Sequence, residues 1–216
     1  MEASAFPEGS ASAPTHPALE AEPADWQPRA LHVGARGLAG GGAFFFISFV
    51  FSYFYLKSQD VNHDWKIGHV HPGIGLGIAI LVCLIAAAVL LRTAVERPVL
   101  TVAAGGWALA LAFAAVVLQV IEWTTLGFGP ASGGYASVYV GWTIFYSLAV
   151  LFCCYWIETQ VATAWRLRRL ARIPATPDHV TTDPIVIQSG LNACSFFWNF
   201  MTLNGIVLFV LLYAIG

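Results

Sequence analysis

Five long runs of apolar residues divide the chain, with short polar segments between them. They cover approximately residues 38–56, 73–91, 99–121, 135–157 and 191–215. About 20 apolar residues in a helix cross the roughly 30 Å hydrocarbon core of a bilayer, and within it only a helix satisfies the backbone of a single segment. The pattern therefore predicts an all-α, polytopic integral membrane protein, a bundle of five transmembrane helices.

The composition agrees with this class. Hydrophobic residues make up 58% of the chain and charged residues 10%, against about 25% charged in a soluble domain. The net charge of −2 comes with no basic face, which argues against nucleic acid as a partner. Four cysteines, Cys83, Cys153, Cys154 and Cys194, fall inside the predicted spans without CxxC spacing, so we expect small buried hydrophobic side chains.

The pattern also predicts two regions. Residues 1–37 form an acidic, Pro/Ala-rich cytoplasmic tail, and residues 38–216 form the membrane domain. The tail lacks apolar periodicity up to residue 28, which indicates a disordered or peripherally docked segment, and it lacks the basic start of a removable signal peptide. After the fourth run, "TQVATAWRLRRLARI" predicts that the helix continues until Pro174 and Pro177 end it.

Basic residues predict the orientation, because they resist translocation across the membrane. Arginines flank the start of the first run and fill the segments after the second and fourth, whereas only Lys57 and Lys66 follow the first. This distribution predicts a multi-pass protein of a bacterial-type plasma membrane, with a cytoplasmic N-terminus and an external C-terminus. We expect Arg166, Arg168 and Arg169 to contact anionic lipid headgroups on the inner leaflet.

Ionisable residues are scarce near the runs. The centre of every run lacks Lys, Arg, Asp and His, which argues against an autonomous pump, proton channel or haem protein. Glu122 and Glu158 lie at run ends beside Trp123 and Trp156, so the favoured interpretation is an interfacial carboxylate in an aromatic belt. For Glu122, a hydrogen-bonded anchor for the following loop or a partner subunit, and a proton relay, are the alternatives.

One loop carries a candidate metal site. The segment "DVNHDWKIGHVHPG" holds His63, His69 and His71 with two acids, and imidazoles at such spacing bind zinc or copper. The spacing matches no closed metal site, and no thiolate accompanies it. A loop that contacts the interface or a partner is the preferred interpretation, and the prediction for this chain is no catalytic, metal or cofactor residue.

Residues 118–146, "LQVIEWTTLGFGPASGGYASVYVGWTIFY", resemble a stretch of subunit III of the haem-copper cytochrome c oxidases. That family reads Leu-Gln, two residues, Glu, an aromatic, a short loop, Gly-x-Tyr-x-Ser-x-aromatic-Val and Thr-Gly-Phe-His. The matching residues are Leu118, Gln119, Glu122, Trp123, Phe128, Gly133, Tyr135, Ser137, Tyr139, Val140, Thr143 and Phe145.

Two other segments are similar to the same family. "FFWNFMTLNGIVLFVLLY" resembles its closing helix through Trp198, Phe200 and Tyr213, and "FFFISFVFSYFY" resembles its Phe-x-x-Ser-Glu helix through Ser48. The chain departs from the pattern where the family carries ionisable residues. Phe49 replaces a Glu, Tyr146 and Asn199 each replace a His, and Thr202 replaces an Asp, which indicates a divergent branch.

The resemblance implies a short form of subunit III that corresponds to the last five of the family's seven helices. Such a subunit carries no haem or copper of its own, packs beside catalytic subunit I and other oxidase subunits, binds phospholipid and supports proton uptake. The complex oxidises cytochrome c, reduces oxygen and pumps protons, and it can join a larger respiratory supercomplex. The implied structural, partner or lipid contacts are Gln119, Glu122, Trp123, Tyr135, Ser137, Trp198, Asn199, Arg166, Arg168 and Arg169.

Two alternatives stay open at this point. The first is a subunit-III-like accessory subunit of a quinol oxidase or a nitric oxide reductase, because these complexes share the helix pattern. The second, from another class, is an autonomous small membrane transporter, which would need a polar site at membrane depth.

Overall fold

The computed structural model describes residues 26–60, 65–66, 71–170 and 184–216. Every regular element in these ranges is helical. A one-turn 3-10 helix, Pro98–Leu100, joins the second and third helices, and a π-helical turn, Val210–Ala214, continues the fifth. The five long helices are α1 Trp26–Ser58, α2 Ile74–Glu96, α3 Thr101–Thr125, α4 Gly134–Leu170 and α5 Pro184–Phe209.

The number of helices is as predicted, and all five are long and apolar enough to cross a membrane. Their ends differ from the apolar runs. Helix α1 begins at Trp26, inside the segment predicted as tail, and so brings His32 into a helix whose apolar run contains no histidine. Helix α4 continues to Leu170, as predicted. The helices extend beyond the apolar segments because backbone hydrogen bonding continues in the polar residues beyond the hydrocarbon.

Two predictions fall partly or wholly outside the described residues. The tail up to residue 25 and the segment 171–183, with its two prolines, are not described. The same is true of His63 and His69, whereas His71 is described and exposed.

Helix α5 lies against α1, α2 and α4, and α3 packs between α2 and α4. The largest fully buried side chains are aromatic and include Trp142 and Trp198. Trp198 donates its indole N–H to the backbone oxygen of Leu84 at 3.2 Å, which joins α5 to α2. This hydrogen bond satisfies the polar end of a buried aromatic side chain and ties α5 to α2.

Helix α1 is the least covered of the five. Only 11% of its most apolar window is buried, against 50% for the last helix, so α1 offers most of its surface to lipid or partners. The aromatic series on α1 divides accordingly. Phe44 and Phe51 are exposed, whereas Phe46 and Tyr53 are buried in the bundle.

The end of the bundle that carries the arginines is closed by contacts to the α2–α3 turn. Arg168 of α4 donates to the backbone oxygen of Pro98 at 2.8 Å and to that of Val99. Gln188 of α5 donates to the backbone oxygen of Val95 at 2.5 Å. These contacts tie α4 and α5 to the end of α2 and to the turn, where the Pro98 oxygen also accepts a hydrogen bond from the backbone N–H of Thr101. Arg168 is thus a structural contact between helices.

Candidate functional site

The site is built where α3 ends, α4 begins and the π-helical turn closes the chain. After Thr125 the backbone passes through a short loop and re-enters a helix at Gly134. Gly133 has φ 114°, a left-handed conformation that glycine adopts without steric cost. Ser137 donates its hydroxyl to the backbone oxygen of Pro130 at 2.5 Å and contacts that of Gly133 at 3.1 Å, so it ties the loop to the first turn of α4.

Glu122 is the centre of the site. Its Oε2 accepts hydrogen bonds from the hydroxyl of Tyr213 at 2.6 Å and from Nε2 of Gln119 at 3.0 Å. The hydroxyls of Tyr139 and Tyr213 lie 2.9 Å apart. Because Tyr213 gives its proton to Glu122, Tyr139 donates to Tyr213. The result is a continuous series of hydrogen bonds from α4 through the π-helical turn to α3. We call these residues the Glu122 network: Gln119, Glu122, Tyr139 and Tyr213.

The favoured interpretation of Glu122 as an interfacial carboxylate stays a prediction for its depth in the membrane, but the side chain does not lie on the outer surface of the bundle. Its side chain is 0% exposed, enclosed by protein in the last turns of α3. The reason is helical periodicity, because Ala108, Ala112 and Ala115 precede Gln119 and Glu122 at alternating steps of four and three residues, and all five are buried. Three alanines on one stripe were the sequence signal for this inward face.

One carboxylate oxygen remains without a hydrogen-bond partner among the described residues. Oε1 of Glu122 is buried and has no hydrogen-bond partner within the described ranges, and the same is true of the indole N–H of Trp142. A small cavity of about 20 Å³ lies beside the network and is lined by Gln119, Tyr213 and Tyr146 among others. That volume is close to the space that one buried water molecule occupies. Polar groups and room for a solvent molecule therefore lie together inside the bundle.

Aromatic residues cover the network on the side of the loops. Tyr135 donates its hydroxyl to the backbone oxygen of Leu212, and its ring meets Trp65 edge-on at a centroid separation of 5.8 Å. The backbone oxygen of Trp65 accepts a hydrogen bond from the backbone N–H of Tyr135 at 3.0 Å. The Lys66 ammonium lies 4.7 Å from the centroid of the Tyr135 ring. Desolvation by burial lowers the pKa of the Lys66 ammonium, and the positive charge of nearby Lys57 lowers it further.

Trp123 is held in the same region. Its indole N–H donates to the hydroxyl of Thr143 at 3.0 Å, and Thr143 donates to the backbone oxygen of Tyr139 at 2.8 Å. The side chain thereby links α3 to α4 one position beyond Glu122.

Five of the predicted contact residues thus meet around one helix-loop-helix: Gln119, Glu122, Trp123, Tyr135 and Ser137. Tyr139 and Tyr213 complete the site, although no pattern in the sequence pairs them with Glu122.

The other predicted contact residues lie elsewhere. Trp198 is buried against α2, and Asn199 beside it is exposed on the surface of α5. Arg166 is exposed, and the Arg169 guanidinium lies 4.2 Å from the Trp165 ring centroid. Among the described residues, no group of three or more His, Cys, Asp or Glu side chains could hold a metal ion.

Three neutral residues that the sequence comparison singled out, Tyr146, Thr202 and Phe49, have structural contacts of their own. Tyr146 donates its hydroxyl to the backbone oxygen of Met201 at 2.8 Å, which joins α4 to α5. Thr202 donates to the backbone oxygen of Trp198 at 3.0 Å, and Phe49 stacks on Trp142 at a centroid separation of 5.8 Å. Neutral side chains thus pack or bond where titratable ones would need charged partners.

No protein-family model matches this sequence, and no curated protein matches it. The membrane class therefore follows from the chain itself: a multi-pass, all-helical protein with five candidate membrane-spanning helices.

The Glu122 network gives a first prediction. Tyr213→Phe removes both hydroxyl contacts and leaves Oε2 of Glu122 with Gln119 alone. We expect the free energy of unfolding in detergent to fall by about 1–3 kcal/mol, the cost of leaving buried polar groups unpaired. The matched control is Tyr55→Phe, because Tyr55 is 52% exposed. An equal effect of both substitutions would show that the Tyr213 hydroxyl does not stabilise the fold.

Proposed function

We propose that this chain is a non-catalytic accessory subunit of the subunit III type in a respiratory haem-copper terminal oxidase. It would stabilise catalytic subunit I and bind phospholipid, while haem and copper reside in partner subunits. The complex would oxidise cytochrome c, reduce oxygen to water and pump protons. In this proposal the membrane is a bacterial-type plasma membrane, with the arginine-bearing end of the bundle in the cytoplasm.

One observation carries the proposal. The residues on which the resemblance rests come from distant parts of the sequence, yet Gln119, Glu122, Tyr139 and Tyr213 form a single buried hydrogen-bonded network. Polar side chains buried in a membrane bundle pair with one another, and here the pairs join residues of the resemblance from α3, α4 and the final turn. Their association supports a shared architecture in which the end of α3, the start of α4 and the final turn are locked together.

The network also supports a structural role over a transport role. Glu122 lies in the last turns of α3, and the rings of Tyr135, Tyr139 and Phe128 pack together over the same end. A carboxylate covered in this way stabilises a helix junction. Transport would instead require a polar site near the midplane that opens alternately to each side.

The test is purification of the tagged chain from its native membrane in mild detergent, with haem spectroscopy and mass spectrometry of the partners. We expect a copper-containing haem oxidase that accepts electrons from cytochrome c. A quinol-oxidising complex, or a b-type nitric oxide reductase without copper, would replace the oxidase assignment. Solute transport by the purified chain alone in liposomes would overturn the non-catalytic role.

The substitution Glu122→Gln tests the role of the carboxyl group in the assembled complex. If the carboxyl group is a structural anchor, we expect unchanged haem spectra and unchanged proton pumping in the assembled complex. The effect would be confined to how much of the chain remains bound through purification. Loss of proton pumping with assembly intact would instead assign a proton-relay role to Glu122.

A further inference from the structure

We propose that the groove between α3 and α4 is the docking site for a transmembrane helix of a partner subunit that places a lysine or arginine against Glu158. This groove, here called the Glu158 groove, has a volume of about 460 Å³. Such a partner helix could belong to any membrane complex that contains this chain. The residues lining the groove are Gly106, Leu109, Ala110, Phe113, Leu151, Cys154, Tyr155 and Glu158.

The packing of α3 against α4 sets the depth of Glu158. A Cβ atom built on Gly105 would lie 2.6 Å from Cγ2 of Val161, so these two residues are level with each other. Glu158 lies one turn nearer the start of α4, level with the second and third turns of α3. The structure thus places Glu158 alongside the apolar part of α3, although its position at a run end predicted an interfacial site.

Interfacial residues farther along α4 give the same depth. Trp165 lies two turns beyond Glu158 on the same exposed face, and Arg169 follows one turn later with its guanidinium on the Trp165 ring. Trp and Arg are typical of the membrane–water interface. Two turns of helix correspond to about 10 Å, so the Glu158 backbone lies about that far on the hydrocarbon side of the interface.

Glu158 is exposed on the outside of the bundle and has no hydrogen bond or ion pair with any described residue. Side chains on a helix tilt toward its N-terminus. On α4 this direction leads away from Trp165, so the carboxylate is directed deeper into the membrane. An ionisable group facing lipid at such depth is costly unless a partner is supplied.

The geometry favours a basic side chain on a helix over a lipid headgroup. Headgroups lie at the membrane–water interface, of which Trp165 is typical, whereas a partner helix can place a cation at any depth. The groove is also open beside Gly106, where a Cβ would meet nothing within 4 Å. The small size of Gly106 therefore serves no packing within the described chain, unlike that of Gly105. Small residues allow helices to approach closely in membranes.

The experiment uses the full chain in its native membrane with its natural partners. A photo-reactive benzoylphenylalanine replaces Phe113, which lines the groove and is 55% exposed. Cross-linked peptides are mapped by mass spectrometry. We expect a transmembrane segment of another subunit that contains Lys or Arg. Cross-links only to lipid, to a second copy of this chain or to a segment without a basic residue would overturn the proposal, as would the absence of any cross-link.

Two substitutions test the groove itself. We expect Glu158→Gln to lower the cross-link yield about tenfold, the scale of a hydrogen-bonded contact between membrane helices. The control is Glu96→Gln, because Glu96 is exposed and already pairs with Arg92 at 2.9 Å. Gly106→Leu fills the groove without changing charge and should also abolish the cross-link, whereas Gly75→Leu, also in open space, should not. An unchanged yield in either groove variant would overturn the proposal.

Discussion

Glu122→Leu is expected to lower the free energy of unfolding by about 2–5 kcal/mol, because it removes the acceptor at the centre of a buried network. Leucine has similar bulk but accepts no hydrogen bond. The substitution would leave the Tyr213 hydroxyl and Nε2 of Gln119, which now bond Oε2 at 2.6 and 3.0 Å, without their partner. Reversible unfolding in mixed detergent micelles, followed by tryptophan fluorescence, measures this effect.

Glu122→Gln is the matched control for this expectation. The glutamine carbonyl oxygen can take the place of Oε2 and accept both hydrogen bonds, and its amide group takes the place of Oε1, which has no partner to lose. We expect a change of about 1 kcal/mol or less, because the bonds are retained. If glutamine and leucine destabilise equally, the loss reflects the carboxylate itself and the network does not act as a hydrogen-bonded anchor.

Gly77→Ala is expected to disrupt the same network from the opposite helix. A Cβ on Gly77 would lie 2.5 Å and 2.7 Å from two carbons of the Tyr213 ring. That ring is bound through its hydroxyl and stacks on Phe209 at a centroid separation of 5.3 Å, so it has little freedom to move. We expect a loss of about 1–3 kcal/mol in the free energy of unfolding, the usual cost of overpacking.

Gly75 supplies the control on the same helix. A Cβ there would meet nothing within 4 Å, so Gly75→Ala should change stability by less than about 0.5 kcal/mol. Because Gly77→Ala acts through Tyr213, its effect should be smaller in a Tyr213→Phe background, where the ring is no longer held by hydrogen bonds. Strict additivity, or an equal cost at Gly75 and Gly77, would show that α2 does not position Tyr213.

Several features of this protein follow from local sequence alone. The count of five membrane helices follows because a run of about 20 apolar residues has one stable state in a bilayer. The continuation of α4 to Leu170 follows because good helix formers fill that segment. The position of Glu122 near a helix end follows from the turn-forming residues after it. Each of these depends on neighbours within a few turns of the chain.

Local sequence did not reveal whether the Glu122 side chain faces the inside or the outside of the bundle. In a soluble helix the apolar stripe marks the core, but in a membrane helix lipid and core are both apolar. Hydropathy therefore separates the inside of the bundle from its outside poorly, and a tryptophan at position 123 suggested an interface. The alanine stripe on α3 was the remaining signal, since small side chains mark a helix face that packs closely.

The hydrogen-bond partners of the Glu122 carboxyl group could not be predicted from neighbouring residues in the sequence. Tyr213 is far from Glu122 in sequence and reaches it from the π-helical turn at the end of the chain. The depth of Glu158 depends likewise on the register of α3 against α4, which the contact between Gly105 and Val161 sets. A hydropathy run locates a residue along its own helix, whereas register and rotation are properties of a helix pair.

The sequence by itself determined the class of this protein, the number of its helices and the rarity of charge within them. Those properties depend on the free energy of moving each segment from water into hydrocarbon, which is a sum over local residues. The tertiary structure alone decided that Glu122 is enclosed by Gln119, Tyr139 and Tyr213 while Glu158 faces outward. Two carboxylates at similar positions in their runs differ in this way because neighbouring helices cover one and leave the other open.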